Sequence, residues 1–267
     1  IPSTVKTIKG NAFNGMQSLV NIEIAENNET YSFLDNVLMS KDGKNLYTVL
    51  TNSRTINIPE TVEVIEGGAL SSFLYNVELN ISENVKKINC AISENITKIT
   101  VVEENENFKS LDGNLYNKDM TILYRYTQNQ SSFTMPDTVK QIASNAFQSK
   151  SNLSEVKLSK NLERINSWEF SGTRITQLYL PSKVNNIEYQ CFAGTNIDIT
   201  IAEDNQTYKT EDGALILSKD GKSAVATSKT LETYNIPSSV ETIRGGTFYC
   251  RNGNFKEITI PTNVKNI

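Results

Sequence analysis

The sequence predicts a repeat solenoid, mainly β, with short helical or irregular returns between its strands and three inserted β-hairpin units. Three observations predict it. A pattern of apolar and small residues about 22 positions long recurs from one end of the 267-residue chain to the other. Each copy ends in the every-second-residue alternation of a short strand, as in Leu153-x-x-Val156-x-Leu158. At three places the pattern gives way to a second unit with its own fixed spacing.

The plainest copy is Met135 to Leu158, with Val139, Ile142, Ala146-Phe147, Leu153, Val156 and Leu158 as its apolar positions. Gaps of three to five residues in the first half fit neither one long helix nor one long strand, so the copy reads as one coil of a stack. Coils are predicted at 1–24, 58–101, 135–201 and 236–267, within a single array over 1–267. The first runs Ile1-Pro2, Val5, Ile8, Ala12-Phe13, Leu19, Ile22, Ile24, which predicts a strand at its end. Two coils begin at Ile58 and Ile81, the latter shortened and carrying Ile92 in place of Phe; three more begin at Met135, Leu158 and Leu180. A seventh begins at Ile236, and Ile260 opens an eighth that the chain does not finish. The column Phe13, Leu70, Ile92, Phe147, Phe170, Phe192 and Phe248 is predicted to form a buried ladder.

The inserts occupy 25–57, 102–134 and 202–235. Each repeats Asn, an aromatic, Asp and Leu at one spacing: Asn28/Tyr31/Asp35/Leu38, Asn105/Phe108/Asp112/Leu115 and Asn205/Tyr208/Asp212/Leu215. Lys41-Asp42-Gly43 and Lys219-Asp220-Gly221, flanked by apolar runs, predict a β-hairpin with a tight turn, because Asp-Gly accepts the positive φ such turns need. Met120 replaces the glycine in the middle copy, which predicts a wider turn there.

A single coil buries too little apolar surface to offset the entropy of ordering it, so coils are predicted to stack and pair their strand edges. Only the two ends are left raw. Because the chain opens at a repeat start and stops inside another, it reads as a piece of a longer protein whose flanks cover those ends.

Composition narrows the function. Net charge is −4, and the 26 Lys and Arg are scattered rather than clustered, which argues against a nucleic-acid surface. No apolar run of spanning length occurs, and IPSTVKTIKG lacks the form of a signal peptide. The chain contains no histidine, so a Ser-His-Asp triad, a Cys-His pair and an imidazole zinc site have no residue to build on. Cys90, Cys191 and Cys250 are too few and too far apart for a disulfide framework, and Cys191 is predicted to pack as a small apolar group. No cofactor or metal site is predicted. The acidic runs Glu103-Glu104-Asn105-Glu106 and Glu203-Asp204 lack the spacing that wraps a calcium ion in one loop. Asparagine, at 32 residues, suits the turns of a solenoid, and six Asn-x-Ser/Thr triplets are the chance product of that composition.

IPSTVKTIKGNAF, MPDTVKQIASNAF and IPSSVETIRGGTF, each followed by the short alternation, resemble the leucine-rich repeats of BspA-type bacterial surface proteins. The inserts resemble the interspersed hairpin units of that family, so the resemblance covers essentially the whole chain. Glu169, which replaces the small residue before Phe170 and follows the chain's one Trp, Trp168, departs from it, as does the coil around Cys90 to Ile92. The resemblance implies a leucine-rich repeat solenoid that is secreted or displayed at the cell surface, has no catalytic activity, and binds a protein ligand such as an extracellular-matrix or other host surface protein. A passive stalk that presents another domain is the alternative.

If the chain binds a partner, the outward residues of the strands are where to look, since successive side chains point to opposite faces. The residues between the last two apolar positions are Glu23, Glu78, Thr100, Lys157, Tyr179, Thr200 and Thr259. Two positions earlier lie Asn21, Asn76, Lys98, Glu155, Gln177 and Glu257, with Asp198 set one residue out of line. Glu23, Glu78, Lys98, Glu155, Lys157, Gln177 and Tyr179 are therefore the candidate binding residues, Tyr179 as the aromatic anchor. Tyr116, Tyr124 and Tyr126 around Arg125 in the middle insert are expected to pack against the adjacent coil.

Overall fold

The computed structural model describes residues 1–50, 53–71, 73–229, 231–249 and 255–267; Cys250 and part of the last predicted coil fall outside these. The chain separates into two compact units, one comprising Ile1–Asp119 and Arg125–Gln128, the other Met120–Tyr124 and Asn129–Ile267. Each is a β-solenoid.

In the first unit the alternating segments become Thr55–Asn57, Val77–Ile81 and Ile96–Val101, three parallel strands of one sheet. The Val-x-x-Ile positions of the second and third coils give Val64–Ile65 and Lys87–Ile88, which continue in parallel register from the insert strand Asn45–Val49 as a second, narrower set. The second unit repeats the arrangement. Ser132–Thr134 pairs with Glu155–Lys157, Gln177–Leu180 with Asp198–Ile201, and Thr233–Asn235 with Glu257–Thr259. On its other side Gln141–Ile142, Arg164–Ile165 and Asn186–Ile187 run in parallel register. The strand predicted at the end of the first coil is absent: Leu19, Ile22 and Ile24 are half-buried in the expected alternation, but with no ladder partner among the described residues they stay irregular.

The returns are turns rather than helices, and no helix occurs among the described residues. Backbone handedness explains this. Two positions before every Phe-column residue except Ile92 the chain takes a positive φ, at Asn11, Gly68, Asn145, Trp168, Gln190 and Gly246. Two positions after it the same happens at Gly15, Ser149, Gly172 and Gly194. A right-handed helix does not continue through left-handed residues, so these returns bend instead of winding on.

The inserts are larger than the single hairpin predicted. The hairpin across Lys41-Asp42-Gly43 forms, Val37–Ser40 antiparallel to Asn45–Val49, but Tyr31–Leu34 adds a strand before it. That extra hairpin turns through Asp35 and Asn36, both at positive φ (51° and 65°), a two-residue turn of the kind that matches strand twist. In the middle insert Asp112 and Gly113 do the same between Phe108–Leu111 and Asn114–Asn117. The turn at Met120 is not wider. Met120 itself takes φ 55°, in the left-handed region like Gly43 and Gly221, and four residues separate the strands as in the other copies. The third strand of the first and third inserts runs parallel to the next coil, with Asn45 opposite Val64 and Ser223 opposite Thr242. An insert therefore continues the stack rather than hanging from it.

The insert asparagine is the staple. Asn205 Nδ2 donates to the Pro181 and Val184 carbonyls at 3.1 and 2.9 Å, and its Oδ1 accepts from the Thr207 and Tyr208 N–H groups at 2.9 and 2.8 Å. Asn105 makes the equivalent four bonds to Ser82, Val85, Asn107 and Phe108. Buried amides this fully used are not glycan acceptors, which removes Asn205, and equally the buried Asn28, from the Asn-x-Ser/Thr triplets.

The Phe column is buried at Leu70, Phe147, Phe170 and Phe192, while Phe13 is half-buried. Phe248 packs as a partly buried ring against the cluster of Leu215, Leu217, Ile236, Val240 and Ile243. Cys191 is buried beside the column as a free thiol.

Candidate functional site

The outward face of the strands is set by the two-residue period. In Gln177–Leu180 the residues Leu178 and Leu180 are buried and Gln177 and Tyr179 exposed, and Asp198–Ile201 repeats this with Ile199 in and Asp198 and Thr200 out. Glu78, Lys98, Glu155 and Lys157 are likewise exposed strand residues. Glu23 is exposed but lies on no strand; its main-chain oxygen accepts from the amino group of Ile1.

Register differs from the sequence reading at two places. Glu78 lies opposite Lys98, not Thr100, which faces Asn80 instead, and the ladder shifts by one residue between Val77 and Glu78. A bulge of this kind sets two residues of one strand against one of the other. The shift brings Lys98 Nζ to 3.7 Å from Glu78, both more than half exposed, so the pair adds little stability. Asn76 in turn lies before the strand. Asp198, displaced by residue count, stands directly opposite Gln177, with Thr200 opposite Tyr179.

In the second unit these residues floor a groove of about 960 Å³. Glu155, Gln177, Tyr179, Asp198 and Thr200 line it, with Thr210, Glu211, Asp212 and Gly213 of the third insert as one wall. Lys157, on the same strand as Glu155, does not line it. The wall is held by the backbone: the Gly213 carbonyl accepts from the Ile199 N–H at 2.8 Å, so the insert turn is bonded to the middle of the floor strand. A side chain at Gly213, where φ is 70°, would place its Cβ 2.7 Å from an Asp198 carboxylate oxygen. Ser228 completes the anchor, its hydroxyl donating to the Ile197 carbonyl at 2.7 Å.

Asp212 caps its own turn, accepting from the Ala214 and Leu215 N–H groups at 2.9 and 3.0 Å and from the Tyr234 hydroxyl. Burial acts to raise its carboxyl, but these hydrogen bonds outweigh it and hold the group below the usual carboxylate range. Tyr234 is pushed up, by burial first and then by the carboxylate it donates to. The wall was not legible as part of a site. Asp212-Gly213 marks a repeat in the sequence, and only the hydrogen bond to Ile199 places it over the strand face.

The middle insert offers no comparable platform. Tyr116, Tyr126 and Arg125 are buried, and burial lowers the Arg125 guanidinium to about 10. The acidic runs lie in turns where Lys118 and Lys219 donate to the main-chain oxygens of Glu103 and Glu203. Among the described residues no group of three or more acidic, Cys or His side chains converges as a metal site, and no helix is long and apolar enough to cross a membrane.

Three solved structures are similar to this chain at low identity. A leucine-rich repeat protein from Eubacterium ventriosum matches with a TM-score of 0.51 and 19% identity, over 82% of this chain and 69% of that one. The pneumococcal vaccine antigen PcpA matches with a TM-score of 0.49 and 19% identity, over 100% of this chain and 61% of that one. A leucine-rich cell surface protein from Faecalibacterium prausnitzii matches with a TM-score of 0.46 and 16% identity, over 89% and 76%. No curated protein matches the sequence. The model of the BspA-type leucine-rich repeat region matches in six copies over residues 1–122, 120–215 and 216–267, the whole length of the sequence. With its coils, asparagine staples and stacked strands accounted for, this chain belongs to the BspA-type leucine-rich repeat family.

Proposed function

We propose that the chain is a non-catalytic protein-binding module, secreted or displayed at a bacterial cell surface, and that it holds its partner on the outward strand face of the second unit. The observation that carries this reading is the groove over Gln177–Leu180 and Asp198–Ile201. Its floor is exposed, in register, and built on strands whose opposite faces are locked in the core, so the outward side chains are presented at little entropic cost on binding. Tyr179, 57% exposed at the centre of a polar floor, has the rigid amphipathic side chain that dominates protein interfaces. Membership of a repeat family built on stacked coils agrees with a scaffold role, and the resemblance to surface proteins with the location.

The test is capture. The 267-residue chain, immobilised, is exposed to fibronectin, fibrinogen and host-cell surface extracts, beside a Gln177→Ala/Tyr179→Ala variant. Retention of a protein by the parent and its loss from the variant supports the reading. Retention of nothing favours a spacer, and equal retention by both moves the contact to another face.

A further inference from the structure

We infer that the groove takes an extended, cationic stretch of polypeptide, whose Lys or Arg side chains meet the carboxylates that line it beside the exposed Tyr179 ring. This rests on the strand face being a protein-binding surface and adds the chemistry of what it binds. Four carboxylates line the groove, those of Glu155, Asp198, Glu211 and Asp212, and among the described residues no Lys or Arg does. Two of the four are engaged from outside, Asp198 by Lys229 and Glu211 by Lys209 at 3.4 Å. Among the described residues no ion pair reaches Glu155 or Asp212, and hydrogen bonds keep Asp212 ionised.

The neutral part of the floor explains why the ligand is extended. Gln177 and Tyr179, then Asp198 and Thr200, are alternate residues of two parallel strands, so outward groups recur at the spacing of every second residue in an extended chain. A segment lying along them sets every second side chain on the floor. The insert turn at Thr210–Gly213 bounds it on one side. The exposed Tyr179 ring, which lines the same groove as these carboxylates, attracts a cation through its face. An anionic ligand meets four like charges in the groove; of the nearby cations, Lys229 and Lys209 are already paired and Lys157, on the strand of Glu155, lies outside the groove lining.

The test uses the whole chain and three fluorescent peptides of about nine residues, enough to span the groove in extended form. One alternates Lys or Arg with Ser or Thr, one carries Glu and Asp at the same places, and one is Gly and Ser only. Anisotropy titrations should show binding of the cationic probe alone, weakened about tenfold between roughly 50 and 300 mM salt. Glu155→Gln/Glu211→Gln should weaken it about tenfold and Tyr179→Ser about fivefold. Glu103→Gln/Glu106→Gln, in an exposed acidic turn of the other unit, should leave it unchanged. Equal binding of the acidic or neutral probe overturns the inference, as does equal weakening by the Glu103/Glu106 control. If the chain captures a protein through Gln177 and Tyr179 yet no cationic probe binds, the inference fails and the protein-binding function stands; if neither occurs, both fail.

Discussion

Phe147 and Phe170, one coil apart, stack with ring centroids 5.7 Å apart and planes 9° from parallel, and Phe170 stacks on Phe192 at the same spacing and 7°. All three are buried, so a truncation leaves a cavity that the neighbouring coils cannot close without losing strand register. Phe147→Ala is expected to destabilise the second unit by about 3 to 5 kcal/mol, read as a lower urea midpoint. An unchanged midpoint would overturn this stacking of coils.

The asparagine staple makes a sharper prediction because all of its bonds are countable. Asn205→Ala orphans the Pro181 and Val184 carbonyls and the Thr207 and Tyr208 N–H groups in a site with no exposure. A loss of about 2 to 3 kcal/mol is expected. Asn205→Asp should cost more at neutral pH, since a carboxylate has no proton to give the two carbonyls and is repelled by them. Protecting the variant by lowering the pH would confirm that charge is the cause.

Glu169 sits where the neighbouring coils have Ala146 and Cys191. It is fully buried; Oε2 accepts a long bond, 3.4 Å from the Ala146 N–H, the backbone N–H groups of Asn166 and Asn145 also bond its carboxyl, and Oε1 has no partner among the described residues. Burial pushes its carboxyl well above the ordinary value, and that of the Cys191 thiol rises through burial and the nearby acid. A carboxyl whose pKa is higher folded than unfolded favours the folded state fully below the unfolded value, about 4.3, and loses that contribution as pH rises toward the folded value. Between the two the loss approaches about 1.4 kcal/mol per pH unit. Glu169→Gln is expected to remove this slope, so the gap in urea midpoint between variant and parent should be small at pH 4 and grow toward pH 7.5. A gap that stays constant would show that Glu169 is ionised, or hydrated, in the folded chain.

Gly172 tests the left-handed columns. Its φ is 77°, and an added Cβ would lie 3.1 Å from the Ser149 Cα of the preceding coil. Gly172→Ala is expected to cost about 1 to 2 kcal/mol from handedness alone, with crowding in addition. The same change at Gly245, whose Cβ position is open and whose φ is not positive, should cost less. Equal effects on the thermal midpoint would mean that the returns adjust freely.

Much of this was written in the sequence. Strand alternation is local, so Leu178 and Leu180 in, Gln177 and Tyr179 out, could be read from the letters, as could the recurrence of Phe147, Phe170 and Phe192 and the fixed distance from each insert asparagine to its aromatic. Other features depend on residues far apart in the chain. Glu78 meets Lys98 rather than Thr100, and Asp198 meets Gln177, because backbone hydrogen bonds, not residue counts, align neighbouring coils. The left-handed columns are only partly signed in the letters: Asn11, Gly68 and Gly172 are residue types that tolerate positive φ, whereas Trp168, Gln190 and Ser149 take the same backbone shape without that chemistry. The groove is the clearest case: alternation alone supplied its floor, whereas its wall exists because the Gly213 carbonyl accepts the Ile199 N–H, a bond between segments that the sequence places in different repeats.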